Sequence, residues 1–217
     1  MELDGPRWGP AAGGTPTELV VICHGVGANG DDLIRIAPSL AACLPHAAFA
    51  APDAPSLHDS GSGRQWWSLA DRTPSVMEAG VRRAAPYLDR FIDAELARLG
   101  LAADRYALVG FSQGAMMVLF TGLRRNTPPR AILAIAGALL APQSLAAELR
   151  YRPPVMLLHG EADDVVPPQR SRDADEVLRR AGIPVETVFV PSLVHNIHET
   201  DLARGADFLG TAFATIR

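Results

Sequence analysis

A serine between two glycines has the setting that best fits nucleophilic chemistry in this chain of 217 residues. The pentapeptide GFSQG at 110–114 follows the apolar run YALVG and opens the helix-patterned stretch QGAMMVLF. Between a strand and a helix, the pattern G-x-S-x-G forms a sharp turn that exposes the serine at the end of a sheet. The glycines permit close backbone approach, and the helix points its positive end at the serine. We therefore predict that Ser112 is a nucleophile.

A serine nucleophile needs a base, and the base needs an acid that orients it. In this topology the acid follows a later strand, and the histidine comes after the acid. Three carboxylates follow the run VMLLHG, and the residues alone leave the choice open among Glu161, Asp163 and Asp164. The last run, VETVFV, is followed first by His195 and then by His198. Position favours His195 as the base, because His198 falls at the start of the predicted last helix.

Backbone amides close to the serine could stabilise the negative charge that develops on a substrate carbonyl. The strand run LVVIC ends in HGVG at 24–27. A loop at this place and the residue after the nucleophile commonly supply the two amides of an oxyanion hole. Val26 and Gln113 occupy those positions, and the loss of one such donor costs about 3–4 kcal/mol of transition-state stabilisation.

The same loop also matches a pattern for binding a dinucleotide. Residues 25–30 read GVGANG, a literal G-x-G-x-x-G between a strand and a helix, and Asp53 follows the next strand. However, Asp31 and Asp32 lie in the first turn of that helix, where they would repel a pyrophosphate. This interpretation also leaves the serine, the carboxylates and the histidine unexplained.

Short apolar runs alternate with helix-patterned stretches along the chain. The runs are apolar almost throughout, as is typical of parallel strands covered on both faces. We predict strands at 19–23, 47–51, 106–110, 131–135, 155–159 and 185–190. We predict helices at 31–43, 75–99, 113–125, 143–150, 168–182 and 199–216. This order indicates an α/β fold with a mainly parallel central sheet and helices on both faces. The Gly/Pro-rich residues 1–16 are predicted to form a loose arm or an edge hairpin.

Composition narrows the classes of function. The chain is 48% hydrophobic and 20% charged with a net charge of −4, so we expect one domain over residues 1–217 and no basic face for nucleic acid. The longest apolar stretch, 131–142, is shorter than the ~20 residues of a membrane-spanning helix, and the acidic start is unlike a signal peptide. Two cysteines, Cys23 and Cys43, are too few for a disulfide scaffold or a zinc site. We expect a cytoplasmic protein without stable membrane insertion.

Residues 52–74 form the one long loop, and no interval is long enough for a cap domain. We expect an active site open to solvent along one side. Of the two adjacent tryptophans in this loop, Trp66 and Trp67, we expect one to line a substrate pocket and the other to anchor the loop to the core. Val165 is a third candidate for substrate contact. The apolar loop is also compatible with a homodimer.

Four segments together resemble the phospholipase/carboxylesterase family of α/β-hydrolases, which includes acyl-protein thioesterases and small bacterial carboxylesterases. They are HGVGANGDDL at 24–33, RQWWSL at 64–69, GFSQGAMM at 110–117 and HGEADDVVP at 159–167. A fifth, SLVHNIHE at 192–199, is a looser match. The resemblance covers the chain from about residue 18 to its end.

The resemblance implies that Ser112 is the nucleophile, Asp163 the acid and His195 the base. The family usually has glycine before this histidine and glutamate after it, where this chain has Val194 and Asn196. It implies a serine hydrolase of small carboxylic esters, with thioesters or lysophospholipids as further substrates and without a metal or organic cofactor. Two alternatives stay open: a non-catalytic binding protein of the same fold, and the dinucleotide-binding enzyme.

Overall fold

The computed structural model describes residues 2–215. The strands in this range are β1 (Arg7–Trp8), β2 (Glu18–Cys23), β3 (Ala47–Ala50), β4 (Ser56–Leu57), β5 (Arg64–Gln65), β6 (Tyr106–Phe111), β7 (Ile132–Ile135), β8 (Val155–Gly160) and β9 (Val185–Val190). The helices are α1 (Gly30–Leu33), α2 (Ala37–Leu40), α3 (Pro74–Leu99), α4 (Gln113–Gly122), α5 (Pro142–Glu148), α6 (Gln169–Arg180) and α7 (Glu199–Ala214).

Seven strands form one sheet in the order β1-β3-β2-β6-β7-β8-β9, and all neighbours except β1 and β3 run parallel. Helices α3 to α6 cover one face, and α1, α2 and α7 cover the other. Every residue of β2, β3, β7 and β8 is therefore buried, which explains why these strands are apolar without alternation. The predicted α/β architecture, with a mainly parallel sheet between two helical layers, is confirmed.

The parallel strands place the candidate residues at one edge of the sheet. The carboxyl ends of β2, β6, β8 and β9 lead into the HGVG loop, Ser112, Asp163 and His195, respectively. Because parallel strands end at a common edge, these four segments converge although they are far apart in sequence. The central position of β6 puts Ser112 between the other segments.

Two segments differ from the sequence predictions. The helix expected at 31–43 is divided into α1, a 3-10 turn at Ile34–Ile36 and α2, and Pro38, which has no N–H to donate, lies in the first turn of α2. Residues 7–8 form neither a loose arm nor a hairpin: β1 pairs antiparallel with β3, which is not its neighbour in sequence. The end of the last helix predicted at residue 216 lies outside the described residues.

The long loop holds a small antiparallel ribbon of β4 and β5 and no helix. It leads into α3, which ends at Leu99, and Gly100 takes a left-handed φ of 67° as a helix-terminating glycine does. No helix in the described part of the chain has the length and hydrophobicity to cross a membrane.

Candidate active site

Ser112 lies in a strained turn between β6 and α4. Its φ is 55°, in the left-handed region that residues with a Cβ rarely adopt. The flanking glycines are required by contact: a Cβ on Gly110 would lie 2.3 Å from the carbonyl oxygen of Gly114, and one on Gly114 would lie 2.0 Å from that of Cys23. The strain, of order 1–3 kcal/mol, persists because the strand and the helix hold the turn from both sides.

Two short hydrogen bonds connect Ser112, His195 and Asp163. His195 Nε2 lies 3.0 Å from Ser112 Oγ, and His195 Nδ1 lies 2.7 Å from Asp163 Oδ2. An ionised carboxylate only accepts hydrogen bonds, so Nδ1 carries the ring proton and Nε2 is free to accept from the serine hydroxyl. The structure thus brings together the three side chains that the sequence analysis named as candidate nucleophile, base and acid.

The geometry also separates these residues from their competitors. His198 is exposed at the start of α7, where its Nδ1 lies 2.9 Å from Thr200 Oγ1. Glu161 and Asp164 are exposed, whereas Asp163 is buried. Among the three carboxylates that the residues alone left open, Asp163 is therefore the one that points inward from the turn after β8 and contacts His195.

The Asp163 carboxylate is held in its ionised form. Burial acts to raise the pKa of Asp163, but hydrogen bonds from His195 and from two backbone amides outweigh it and bring the pKa below its ordinary value. The amides of Val165 and Val166 donate to Oδ1 at 2.9 and 2.8 Å, respectively. A negatively charged carboxylate thus lies against His195 Nδ1.

The sequence analysis did not single out His159, although it lies within the HGEADDVVP segment. It is completely buried at the end of β8, and its Nε2 lies 2.8 Å from the carbonyl oxygen of Val166 and 3.2 Å from Asp163 Oδ2. Its Nδ1 lies 2.7 Å from Ser171 Oγ. Burial lowers the pKa of His159 and keeps the ring neutral. Spacing could not reveal this residue, since its role depends on how the turn folds back over the strand.

The HGVG loop lies directly against Ser112. A Cβ on Gly25 would come within 3.2 Å of Ser112 Cβ, so this position has no room for a larger residue without adjustment. Within residues 2–215, the amides of Val26 and Gln113 have no hydrogen-bond acceptor in the protein. The loop and the start of α4 therefore offer two fixed donors beside Ser112.

A second buried histidine, His24, supports this loop. Its Nδ1 lies 2.7 Å from the carbonyl oxygen of Gly25, and its Nε2 accepts a hydrogen bond of 3.0 Å from the amide of Ala54. Burial lowers the pKa of His24 as well. The loop is thereby tied to the segment that follows β3.

The side chain of Gln113 joins the tryptophan loop to the nucleophile turn. Its Oε1 accepts from the Trp66 amide at 3.0 Å, and its Nε2 donates to the Trp67 carbonyl oxygen at 2.8 Å. The indole N–H of Trp66 donates to the carbonyl oxygen of His24 at 3.0 Å. Gln113 thus positions the loop through its buried side chain, a role separate from that of its backbone amide, which the sequence indicated as a candidate oxyanion donor.

Both tryptophans anchor the loop, whereas the sequence analysis expected this of only one. Trp66 is 2% exposed and Trp67 is 5% exposed. The Trp67 indole N–H lies 3.4 Å from Met77 Sδ, and a Cβ on Gly80 would overlap the ring at 2.5 Å. The expectation that one tryptophan lines the substrate pocket is therefore corrected, because both indoles are buried in the core.

A cleft of about 330 Å³ opens beside α4, the helix that follows Ser112. It is lined mainly by apolar residues from α3, α4 and the segments after β7 and Asp163, among them Met77, Met116, Leu139, Leu140 and Val165. Val165 is 52% exposed, while its amide holds Asp163. The cleft thus borders residues that contact Ser112 and Asp163, since the Met116 amide donates to the Ser112 carbonyl oxygen, although neither Ser112 nor Asp163 lines it.

The loop at 25–30 does not present a free site for a pyrophosphate. The amide of Gly30 donates to Asp53 Oδ1 at 2.8 Å, and the amide of Asp32 donates to Asn29 Oδ1 at 3.0 Å. Helix α1 is only four residues long, and its first turn carries two acidic residues. Side chains of the protein itself therefore satisfy this helix end, which disfavours the dinucleotide interpretation.

Comparison with known proteins gives matches over most of the chain. The family model described as phospholipase/carboxylesterase matches residues 11–213. Acyl-protein thioesterase 1 of Gibberella zeae is 26% identical over 215 residues, covering 89% of each chain. Esterase YpfH of Escherichia coli K12 is 28% identical over 192 residues, covering 88% of this chain and 82% of that protein.

Solved structures agree with this result. The crystal structure of esterase PE8 superposes with a TM-score of 0.92 at 38% identity and covers 98% of this chain and all of that one. The structure of Arabidopsis thaliana SOBER1, at 22% identity and a TM-score of 0.80 over 90% of this chain and 99% of that one, shows the same fold. The chain adopts the α/β-hydrolase fold and belongs to the phospholipase/carboxylesterase family of hydrolases.

Proposed function

We propose that this protein is a serine hydrolase that cleaves carboxylic esters or thioesters through an acyl-enzyme intermediate on Ser112. The observation that carries the proposal is the continuous pair of hydrogen bonds from Ser112 through His195 to Asp163, at 3.0 and 2.7 Å. Membership of the phospholipase/carboxylesterase family supports the same reaction class. Lysophospholipids are a further candidate substrate of this kind.

Acylation begins when His195 Nε2 takes the hydroxyl proton of Ser112 as Oγ attacks the acyl carbon. The carbonyl oxygen becomes an oxyanion, and the amides of Val26 and Gln113 donate hydrogen bonds to it. Asp163 keeps its charge and stabilises the imidazolium of His195. The histidine then gives its proton to the departing oxygen or sulfur, and the alcohol or thiol leaves.

Deacylation repeats these steps with water as the nucleophile. His195 takes one proton from the water as the water oxygen attacks the acyl carbon of the ester formed with Ser112. The same two amides stabilise the second oxyanion. When the tetrahedral species collapses, His195 returns the proton to Ser112 Oγ and the free carboxylic acid departs.

The apolar cleft is the proposed site for the apolar part of the substrate. Its volume of about 330 Å³ is at the small end of the range for ligand pockets, which favours a short or partly exposed group. Val165 borders the cleft and is the substrate contact that we retain from the sequence predictions. The long loop contains the ribbon of β4 and β5 but no helical segment, and this supports access from solvent to the site. A cytoplasmic location and a homodimer stay predictions.

Labelling with a fluorophosphonate, followed by peptide mapping, tests the proposed nucleophile. We expect the label on Ser112, and we expect Ser112→Ala to lose the label and at least about 10⁴-fold in kcat on p-nitrophenyl esters. Ser39→Ala in α2 is a matched control that keeps both. Undiminished label or turnover in Ser112→Ala would refute the proposal, and a folded wild type without turnover would favour a binding protein.

A further inference from the structure

The catalytic acid of the proposed reaction contacts a second histidine. Asp163 Oδ2 lies 2.7 Å from His195 Nδ1 on one side and 3.2 Å from His159 Nε2 on the other. The side chains of Asp163 and His159 are both completely buried. The proposed mechanism uses only His195, so the second contact needs its own explanation.

The surroundings of His159 fix the position of its ring proton. The carbonyl oxygen of Val166, 2.8 Å from Nε2, can only accept a hydrogen bond, so Nε2 carries the proton. Nδ1 is then an acceptor, and the hydroxyl of Ser171 donates to it at 2.7 Å. The Nε2 proton is directed to the Val166 carbonyl oxygen, and the Asp163 carboxylate contacts the same nitrogen at 3.2 Å.

These contacts close a ring around the turn at 163–166. The Val166 amide donates to Asp163 Oδ1 at 2.8 Å, while the carbonyl of the same residue accepts from His159. Asp163 thus faces two amides through Oδ1 and two histidines through Oδ2. The carboxylate cannot rotate without losing several of these bonds.

We propose that His159 is a positioning residue that fixes Asp163 for its hydrogen bond with His195, a role that rests on the proposed serine-hydrolase function. A neutral imidazole suits this role because it donates a hydrogen bond to the Val166 carbonyl, and so holds the turn whose amide binds Asp163, without bringing a positive charge. A lysine or arginine at the same place would pair with Asp163 and weaken the stabilisation of the His195 imidazolium. Ser171, buried on α6, holds the ring in the orientation that it needs.

Other ionisable groups near this turn face solvent. Glu161 pairs with Arg172 at 3.4 Å, with both side chains 47% exposed, and Asp164 is also exposed. Water and salt screen charges at such positions. His195 and the buried His159 are therefore the side chains that act most strongly on Asp163.

The variant His159→Phe tests the proposal because it keeps a planar ring and removes both hydrogen-bonding nitrogens. We expect kcat on a p-nitrophenyl ester to fall by about 10- to 100-fold with little change in KM, because Asp163 would lose a contact that holds it in place. We also expect the acid limb of the kcat/KM profile against pH to move. That limb reports protonation of the base, which depends on Asp163.

Tyr106→Phe is the matched control for a lost buried hydrogen bond. The Tyr106 hydroxyl donates to the carbonyl oxygen of Thr127 at 2.7 Å and accepts from Arg125 Nε at 2.9 Å, and it has no part in the proposed site. We expect this variant to lose stability while the acid limb stays at the wild-type pH. A purely structural role for His159 would give the same result as the control. The kcat/KM of each variant is calculated for the fraction of protein that fluorophosphonate labels. If the acid limb of His159→Phe then lies at the wild-type pH, the proposal is overturned.

A measurement on the wild type keeps the test independent of how well the variant folds. In nitrogen-15 NMR spectra of the histidine rings, we expect His159 to stay neutral with its proton on Nε2 while its signals follow the protonation of His195. His159 signals that do not change when His195 is protonated, or a ring proton on Nδ1 of His159, would contradict the proposal. Turnover that survives Ser112→Ala would instead refute the proposed function, so the two failures are distinguishable.

Discussion

Two buried His-Gly dipeptides stand at the ends of β2 and β8 and support opposite sides of the site. His24 holds the loop with the proposed oxyanion donors, and His159 holds the proposed acid. Both rings are completely buried, and burial lowers the pKa of both. Each histidine therefore lies at the end of a parallel strand, precedes a glycine and has a neutral ring.

The two rings differ in the nitrogen that carries the proton. A carbonyl oxygen lies 2.7 Å from Nδ1 of His24, whereas a carbonyl oxygen lies 2.8 Å from Nε2 of His159. The first ring therefore accepts through Nε2, from the Ala54 amide, and the second accepts through Nδ1, from Ser171. Only His159 reaches an ionised group of the site. The same dipeptide thus supports a backbone loop in one place and a carboxylate in the other.

The largest effect that separates the two histidines is expected from His24→Asn. The shorter side chain removes the acceptor of the Ala54 amide and leaves a cavity beside Trp66, whose ring centre lies 5.8 Å from that of His24. We expect a loss of about 2–4 kcal/mol in the free energy of unfolding and about tenfold in kcat, because the Val26 donor is held less firmly. Denaturant titration and ester kinetics measure both quantities.

The pH profile of this variant sharpens the comparison. Because His24 makes no contact with Asp163 or His195, the acid limb of kcat/KM should stay at the wild-type pH. His24→Gln, which keeps an acceptor within reach of the Ala54 amide, is the control and should lose less. If the limb moves in His24→Asn as it does in His159→Phe, the division of roles between the two histidines is wrong.

A smaller effect concerns stability on acidification. Both histidines have a lowered pKa in the folded state and an ordinary value near 6.5 after unfolding. Below that pH the unfolded chain binds protons that the folded protein does not, so stability is present above pH 6.5 and is lost as the pH falls. The limit is about 1.4 kcal/mol per pH unit for each histidine.

The difference between wild type and variant isolates this contribution. We expect the free energy of unfolding at pH 5, 6 and 7 to decline less steeply in His24→Asn and in His159→Phe than in the wild type. Carboxylates that titrate in the same range remain in all three proteins and cancel from the difference. Parallel curves would show that the buried rings take up protons without unfolding.

The sequence indicated the fold and the candidates Ser112 and His195 because their signals are local. Each buried parallel strand is an apolar run, and the strained turn at Ser112 needs the glycines around it. His195 also followed from its place after the last strand, and the structure places its Nε2 beside Ser112 Oγ. These features depend on one element and its immediate neighbours.

Other features depend on contacts between distant segments and were not predictable from the residues alone. Asp163 differs from Glu161 and Asp164 only in the direction of its side chain, and His159 becomes important only because the turn folds back over it. Trp66 and Trp67 have the composition of a substrate pocket, yet Gln113 and α3 hold both in the core. Two adjacent tryptophans in a long loop give the same sequence pattern whether they line a pocket or anchor the loop.

The most direct test of the central claim is to trap the covalent intermediate on Ser112. A p-nitrophenyl carbamate transfers a carbamoyl group that a serine hydrolase releases only slowly, so the adduct accumulates. We expect one equivalent of p-nitrophenol, loss of esterase activity, and the carbamoyl group on the peptide that carries Ser112. A carbamoyl group on another residue, or loss of activity without an adduct on that peptide, would contradict the account.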